Sequence, residues 1–117
     1  MVNQLIAHVE IPSSDFEAST KFYSTLFGWE LKPFGNGYSL YNSHQGLTVG
    51  LRKVEKVISG DTTIFHVRVE DIDATLDKIS LAGGKIEREK TVIPVFGWYA
   101  LIKDSVGNIL GLYQSHT

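Results

Sequence analysis

The chain has 117 residues, which suits a single domain, and its 43% hydrophobic and 21% charged residues are ordinary for a folded globular protein. It has no cysteine, which excludes disulfides, thiolate metal sites and cysteine nucleophiles. A net charge of −2 without basic runs argues against nucleic-acid and membrane partners, and no apolar stretch is long enough to cross a bilayer or resembles a signal peptide. We therefore expect a cytoplasmic protein.

Residues 4–11 alternate between apolar and polar side chains, a pattern that predicts a strand with one buried face. Pro12 is predicted to end this strand. The alternation places His8 and Glu10 on the face opposite the core. The residues predicted to face the core are Leu5, Ala7, Val9 and Ile11.

A helix is predicted next, because Ser14 and Glu17 have the spacing of a capping box. It should run to about Phe27 and stop at Gly28, since glycine is a common C-terminal cap. Three strands should follow, with Asn36-Gly37 forming the hairpin turn between the first two. Their predicted ranges are 29–34, 38–42 and 47–52. The first half therefore reads β-α-β-β-β.

The second half repeats this order. A strand over 62–69 precedes a helix that begins near Asp71 and stops at Gly83-Gly84. A tight turn over 104–108 joins the last two strands. The three closing strands are predicted near 85–92, 97–103 and 108–114.

The two halves also match in sequence. His8 opens one strand and is followed at a fixed offset by Asp15, as His66 is followed by Asp73. Near the end of each half, residues 48–51 match residues 109–112, so that Gly50 corresponds to Gly111. We predict one α+β domain of two tandem βαβββ modules, whose mixed sheets form a curved half-barrel around a cleft with the helices outside. The predicted boundaries are module one 1–52, linker 53–61 and module two 62–117.

The polar residues of the predicted first strands allow two arrangements. His8 and His66 are either polar residues of a half-exposed sheet face or partners in one shared cavity, where adjacent imidazoles suit proton transfer or the binding of an oxygen-bearing ligand. Glu10 is either an ion-pair partner of Arg68 or the carboxylate of a two-histidine, one-carboxylate metal site. The ion pair is the favoured arrangement.

The sequence resembles the vicinal oxygen chelate family, which includes glyoxalase I, bleomycin-resistance proteins and extradiol dioxygenases. The resemblance covers nearly the whole chain. It is carried by His8, Glu10-Ile11 and Asp15, by residues 22–29, and by residues 103–112.

This resemblance implies a divalent metal held by two side chains from the first strands and two from the last strands of the modules. The first-strand positions carried over are His8 and His66, but the last-strand positions fall on Gly50 and Gly111, which have no side chain. We therefore expect no cofactor and no four-ligand metal site. A metal that did bind would be held by His8, His66 and Glu10.

Two functions of different classes follow from the resemblance. The first is a binding protein that encloses a small, apolar or aromatic oxygenated molecule in the cleft between its modules. The second is a divalent-metal-dependent lyase, isomerase or dioxygenase in which His8 and His66 are ligands or acid/base groups. A homodimer is expected, because half-barrels of this size leave open sheet edges. The residues expected to bind the ligand are His8, Glu10, Gly50, His66, Arg68, Trp98, Gly111 and Tyr113.

Overall fold

A computed structural model describes residues 6–60 and 62–116. Module one begins with a strand, crosses over through one helix and continues as three strands. Its elements are β1 (His8–Ser13), α1 (Phe16–Phe27), β2 (Lys32–Pro33), β3 (Tyr38–Asn42) and β4 (Thr48–Lys53).

Module two has the same order of strands, but its predicted helix is two short helices. The break follows Leu76, where the amide of Lys78 donates to the carbonyl of Thr75 and tightens the turn. Within the described residues, no helix is both long and apolar enough to span a membrane. The elements of module two are β5 (His66–Arg68), α2 (Ile72–Leu76), α3 (Ile79–Ala82), β6 (Lys85–Ile93), β7 (Gly97–Lys103) and β8 (Ile109–Ser115).

Each module forms its own four-stranded mixed sheet. The strand orders are β1-β4-β3-β2 and β5-β8-β7-β6. In each sheet the first strand pairs in parallel with the last, and the remaining pairs are antiparallel. The predicted α+β class and the βαβββ modules are confirmed, and the sheets are not closed.

The first strand lies later in the sequence than predicted. β1 runs through Pro12 to Ser13, whereas Ile6 and Ala7 precede it and are exposed. Proline is tolerated because β1 is the edge strand of its sheet, where a missing N–H breaks no ladder. The predicted core position Leu5 lies outside the described residues.

The caps of α1 agree with the prediction at one end only. The N-cap is Asp15 rather than Ser14, and its carboxylate accepts a hydrogen bond from the amide of Ala18 at 3.1 Å. At the other end Gly28 has the predicted role, with a φ of 73° that favours glycine.

The strand β2 is shorter than the predicted range 29–34. Trp29 is drawn into an aromatic stack, with its ring 5.5 Å from that of Tyr23 and 5.3 Å from that of Tyr41. This packing against the core removes Trp29 from the sheet.

One core joins the two modules, and a small polar group lies at their junction. The Tyr23 hydroxyl on α1 donates a 2.8 Å hydrogen bond to Asp104, which is only 4% exposed. The Asn108 amide donates to the carbonyl of Pro12 on β1 at 2.9 Å. The predicted tight turn therefore connects β7 and β8 and also contacts both module-one elements.

The junction predicts a pH-dependent stability. Burial raises the pKa of Tyr23 well above its ordinary value, and the charge of Asp104 raises that pKa further. The unfolded tyrosine loses its proton near pH ~10 while the folded one keeps it, so this contribution is present below pH ~10 and is lost as pH rises further. Tyr23→Phe should cost about 1–3 kcal/mol of unfolding free energy near neutral pH. In denaturant titrations, the difference in unfolding free energy between wild type and Tyr23→Phe should become smaller above pH ~10.

Tyr41→Phe is the matched control, because Tyr41 belongs to the same aromatic cluster and its hydroxyl makes no hydrogen bond within the described residues. Tyr41→Phe should change the unfolding free energy little. A constant difference between wild type and Tyr23→Phe from pH ~8 to ~11 would contradict the role of the Tyr23–Asp104 bond.

Candidate functional site

The strand register corrects the alignment of the two modules. Gly50 lies opposite Glu10 in the β1–β4 pair, and Gly111 lies opposite His66 in the β5–β8 pair. Since the two glycines correspond, the residue that matches His66 is Glu10 rather than His8. The expectation that both histidines occupy the same strand position is therefore wrong by two residues.

The helix caps show the same shift. Asp15 caps α1 seven residues after His8, and Asp71, rather than Asp73, caps α2. Counting seven residues back from Asp71 gives Ile64, so Ile64 is the module-two counterpart of His8. An isoleucine has no metal ligand and no acid/base group to contribute there.

Five side chains form a hydrogen-bonded group, the module-one network, on the face of the first sheet that points away from the core. We call this face of each sheet its outer face. The His8 ring bonds through Nδ1 to the Thr48 hydroxyl at 2.6 Å and through Nε2 to the Tyr38 hydroxyl at 2.8 Å. Tyr38 donates to Glu10 at 3.3 Å. Arg52 completes the group with a 2.9 Å ion pair to the other oxygen of Glu10. The predicted Glu10–Arg68 ion pair is therefore wrong.

The proton positions in the module-one network follow from its partners. The Tyr38 hydroxyl has one proton, and the Glu10 carboxylate can only accept it. With Tyr38 donating to Glu10, the neutral His8 tautomer that completes the network donates from Nε2 and accepts at Nδ1 from Thr48. The side chains of His8, Tyr38 and Glu10 thus each contact two partners within the network.

Two neighbours act on the Tyr38 hydroxyl in opposite directions. Desolvation raises the pKa of Tyr38, and the Glu10 carboxylate raises it further through its charge and its hydrogen bond. The Arg52 guanidinium lowers the same pKa and offsets part of the effect. At neutral pH Tyr38 is therefore a hydroxyl that donates, not a phenolate.

Side chains from neighbouring strands fill the space beside the two last-strand glycines. A Cβ atom added at Gly50 would collide with the Tyr38 hydroxyl, and one added at Gly111 would collide with the His66 ring. A phenol and an imidazole therefore occupy the positions at which the family resemblance places metal-ligating side chains.

The donor set does not fit the metal that the resemblance implies. The last-strand ligand positions have no side chains, and the counterpart of His8 in module two is Ile64. Within residues 6–60 and 62–116, no three histidine, aspartate or glutamate side chains are grouped to hold a metal ion. His8, His66 and Glu10 in particular do not form the two-histidine, one-carboxylate group of the alternative arrangement.

The outer face of the second sheet carries several of the other predicted site residues. The His66 ring lies over Gly111, and the Arg68 guanidinium lies 5.4 Å from the centre of the Tyr113 ring. Trp98 lies on the opposite side, packed against the core with the Lys90 ammonium 4.9 Å from its ring centre.

A cleft of about 360 Å³, the junction cleft, lies where β1 meets the linker and the second sheet. Of the residues predicted to bind ligand, only Glu10 lines it; His8 and His66 do not. The lining residues are Glu10, Ile11, Pro12, Ile58, Ser59, Gly60, Thr62, Thr63, Phe65, Asn108 and Ile109.

The sequence reasoning missed Tyr38, Thr48 and Arg52. Alternation along β3 and β4 places all three on the same face as Gly50, so their side of the sheet was available from the sequence. Their contacts were not, because these depend on which residues lie opposite one another across the strands.

The module-one network predicts how the Tyr38 titration responds to mutation. Glu10→Gln should lower the pKa of Tyr38, because the repelling carboxylate is removed, whereas Arg52→Ala should raise it. Nuclear magnetic resonance of the tyrosine Cζ carbons over an alkaline titration measures both changes. Lys21→Ala on the exposed side of α1 is the control and should leave Tyr38 unchanged. Equal Tyr38 pKa values in wild type and Glu10→Gln would contradict the network.

Comparison with known proteins agrees with the fold. A protein described as "Glyoxylase-like domain-containing protein" from Didymella fabae is 32% identical over 89 residues, covering 68% of this chain and 69% of that protein. CFP32 from Mycobacterium bovis, whose name includes the word glyoxylase, is 28% identical over 116 residues. That match covers 92% of this chain, which spans 44% of the length of CFP32.

Solved structures give the same result at lower identity. The fosfomycin resistance protein FosX from Listeria monocytogenes superposes with a TM-score of 0.80 at 14% identity, covering 98% of this chain and 95% of FosX. A glyoxalase-related enzyme from Fulvimarina pelagi gives a TM-score of 0.77 at 20% identity, covering 94% and 87%. At these identities the likeness shows the fold alone.

The match to a family is extensive in sequence. Residues 5–112, nearly the whole chain, match the sequence pattern of one superfamily, and this span covers most of both modules, including Gly50 and Gly111. The chain belongs to the Glyoxalase/Bleomycin resistance protein/Dioxygenase superfamily.

Proposed function

We propose that this protein binds a small, mostly apolar or aromatic oxygenated molecule in the junction cleft, without a four-ligand metal site. The observation that carries the proposal is the composition of the cleft. Ile11, Phe65 and Ile109 supply apolar walls, while Glu10, Asn108 and the hydroxyls of Ser59, Thr62 and Thr63 supply polar groups. Apolar walls that carry polar groups to orient the ligand are typical of small-molecule sites.

The size of the cleft supports this class of ligand. Its volume of about 360 Å³ lies at the lower end of the ~300–1,000 Å³ typical of ligand pockets. A single aromatic ring with one or two oxygen-bearing substituents suits such a space. Glu10 also belongs to the module-one network, so a ligand oxygen that approached it would meet a carboxylate already held by Arg52 and Tyr38.

The proposed site has no metal because the residues at the implied ligand positions lack the donor atoms. Gly50 and Gly111 offer no ligand atoms, and Tyr38 and His66 occupy the space beside them. FosX from Listeria monocytogenes has been crystallised, as a mutant, with Mn(II) and a dihydroxypropylphosphonic acid. A four-ligand site of the kind that the resemblance implies would require side-chain ligands at the positions of Gly50 and Gly111.

An enzymatic role is the second candidate. His8 is hydrogen-bonded at both ring nitrogens, and its Nε2–H contacts a phenol that in turn contacts a carboxylate. This arrangement favours an acid/base role of His8 in a lyase or isomerase reaction over a role as metal ligand.

We also propose that the protein is a homodimer and is located in the cytoplasm. The exposed apolar side chains of Phe34, Val95 and Phe96 support a surface that binds a second copy.

Metal analysis tests the metal-free site. Protein purified without chelators should carry far less than one equivalent of zinc, nickel, manganese or iron by mass spectrometry. Adding back Mn²⁺ or Zn²⁺ should change neither the melting temperature nor the spectra of His8 and His66. Near-stoichiometric metal that His8→Ala removes would overturn the proposal.

Filling the junction cleft tests the ligand site. Acetophenone, a neutral aromatic ketone, should shift the backbone resonances of Phe65, Asn108 and Ile109. Thr63→Trp should weaken its binding at least tenfold, or about 1.4 kcal/mol, because the indole occupies the cleft. Ser80→Trp on the exposed side of α3 is the control and should bind normally. Equal affinity of Thr63→Trp and wild type would exclude the cleft as the site.

A further inference from the structure

We propose that the outer face of the second sheet is a separate binding site for the carboxylate of a small aromatic acid. The site, here called the module-two face, consists of His66, Arg68, Arg88, Tyr99 and Tyr113. None of these residues lines the junction cleft. The module-two face is therefore a different site from the junction cleft, in which the proposed function places the ligand.

The strand register brings these residues together. Two rows of Cα partners cross the second sheet, and on β5, β7 and β8 the side chains of both rows point to the same face because the rows are two residues apart. On β6 an irregularity separates the rows by three residues, and the hydrogen bond from Arg88 to Tyr99 links Arg88 to this face. The first row is His66, Gly111, Leu101 and Arg88. The second row is Arg68, Tyr113, Tyr99 and Thr91.

The two arginines of this face have no acidic partner. The ion pairs found within residues 6–60 and 62–116 include neither Arg68 nor Arg88. Glu70, two residues after Arg68, is exposed and forms no ion pair in that part of the chain either. The face therefore presents two uncompensated guanidinium groups, each with N–H donors left to bind an anion.

The phenols fix where these guanidinium groups lie. Arg88 donates from Nη1 to the Tyr99 hydroxyl at 2.9 Å, and Arg68 lies over the Tyr113 ring. Tyr99 and Tyr113 are themselves Cα partners on β7 and β8. Each arginine is thus held at a tyrosine, and the tyrosines are adjacent. This prior ordering reduces the entropy that a ligand must remove on binding.

A planar carboxylate on an aromatic ring matches this surface. The guanidinium fork binds carboxylates through two parallel hydrogen bonds, and tyrosine rings offer apolar area to a stacked ring. The His66 ring lies over Gly111 and 6.5 Å from the Tyr99 ring, which adds a further flat, polar edge. An uncharged ligand of the same shape would gain the stacking and lose the charge-assisted bonds.

The first sheet shows why the site belongs to module two. Tyr38 corresponds to Tyr99, since both lie opposite the residue two places after the last-strand glycine. In module one, however, Arg52 is paired with Glu10 and the Tyr38 hydroxyl is bonded to His8. That arginine is neutralised within the chain. The corresponding surface of module two carries two arginines and no carboxylate that pairs with them.

A comparison of benzoate with benzamide tests the proposal, because the two differ in charge and little in shape. In nuclear magnetic resonance titrations benzoate should shift the side-chain Nε–H resonances of Arg68 and Arg88 and bind at least tenfold more tightly than benzamide. Arg68→Ala and Arg88→Ala should each reduce benzoate to the affinity of benzamide. Arg88→Lys keeps the positive charge but lacks the paired N–H donors of the guanidinium group, and should therefore retain only part of the benzoate binding.

Lys56→Ala on the linker is the charge-matched control and should leave benzoate binding unchanged. Thr63→Trp should also leave it unchanged, because the junction cleft is a different site. Equal binding of benzoate and benzamide, a loss in Lys56→Ala as large as in Arg88→Ala, or a loss in Thr63→Trp would each overturn the proposal. Circular dichroism of every variant separates these outcomes from unfolding.

Discussion

The arrangement of the two modules depends on the hydrogen bonds that the buried carboxylate of Asp104 accepts. It accepts the Tyr23 hydroxyl from module one and the backbone amides of Val106 and Asn108 from its own turn. A carboxylate this deeply buried is costly unless its oxygens are satisfied, so the turn and the helix must meet in one geometry. Asn108 extends the same contact to β1 through the carbonyl of Pro12. The helices are thereby fixed against one core.

The two modules use the same backbone plan for different chemistry. Each has a glycine on its last strand and a tyrosine at the same register on the neighbouring strand, Gly50 with Tyr38 and Gly111 with Tyr99. In module one the tyrosine lies over the glycine and closes a hydrogen-bonded network. In module two an imidazole lies over the glycine, and Tyr99 instead accepts a hydrogen bond from Arg88. The same backbone plan therefore carries two different surfaces.

The sequence predicted what depends on local pattern. The strand over 97–103 has the predicted bounds, the Gly28 cap has the predicted conformation, and the order of elements is confirmed. Alternation also predicted that His8 and His66 lie on the sheet faces opposite the core, since a shift of two residues preserves the face of a strand. The register between strands was not available, because it is set by long-range pairing and by where each helix is capped. The similar sequences that begin at the two histidines thus gave a plausible but shifted alignment of the modules.

That shift changes the chemistry assigned to the site. Had His8 and His66 been equivalent, Glu10 and Arg68 would have been equivalent too, and a symmetric ion pair or a shared metal would have followed. Glu10 instead contacts Arg52, which lies two residues beyond the glycine opposite it, within reach across adjacent strands. Glu10 is therefore not the partner of Arg68, and the ion pairs among residues 6–60 and 62–116 do not include Arg68. A displacement of two residues in register therefore separates a two-histidine metal site from a basic face suited to an organic anion.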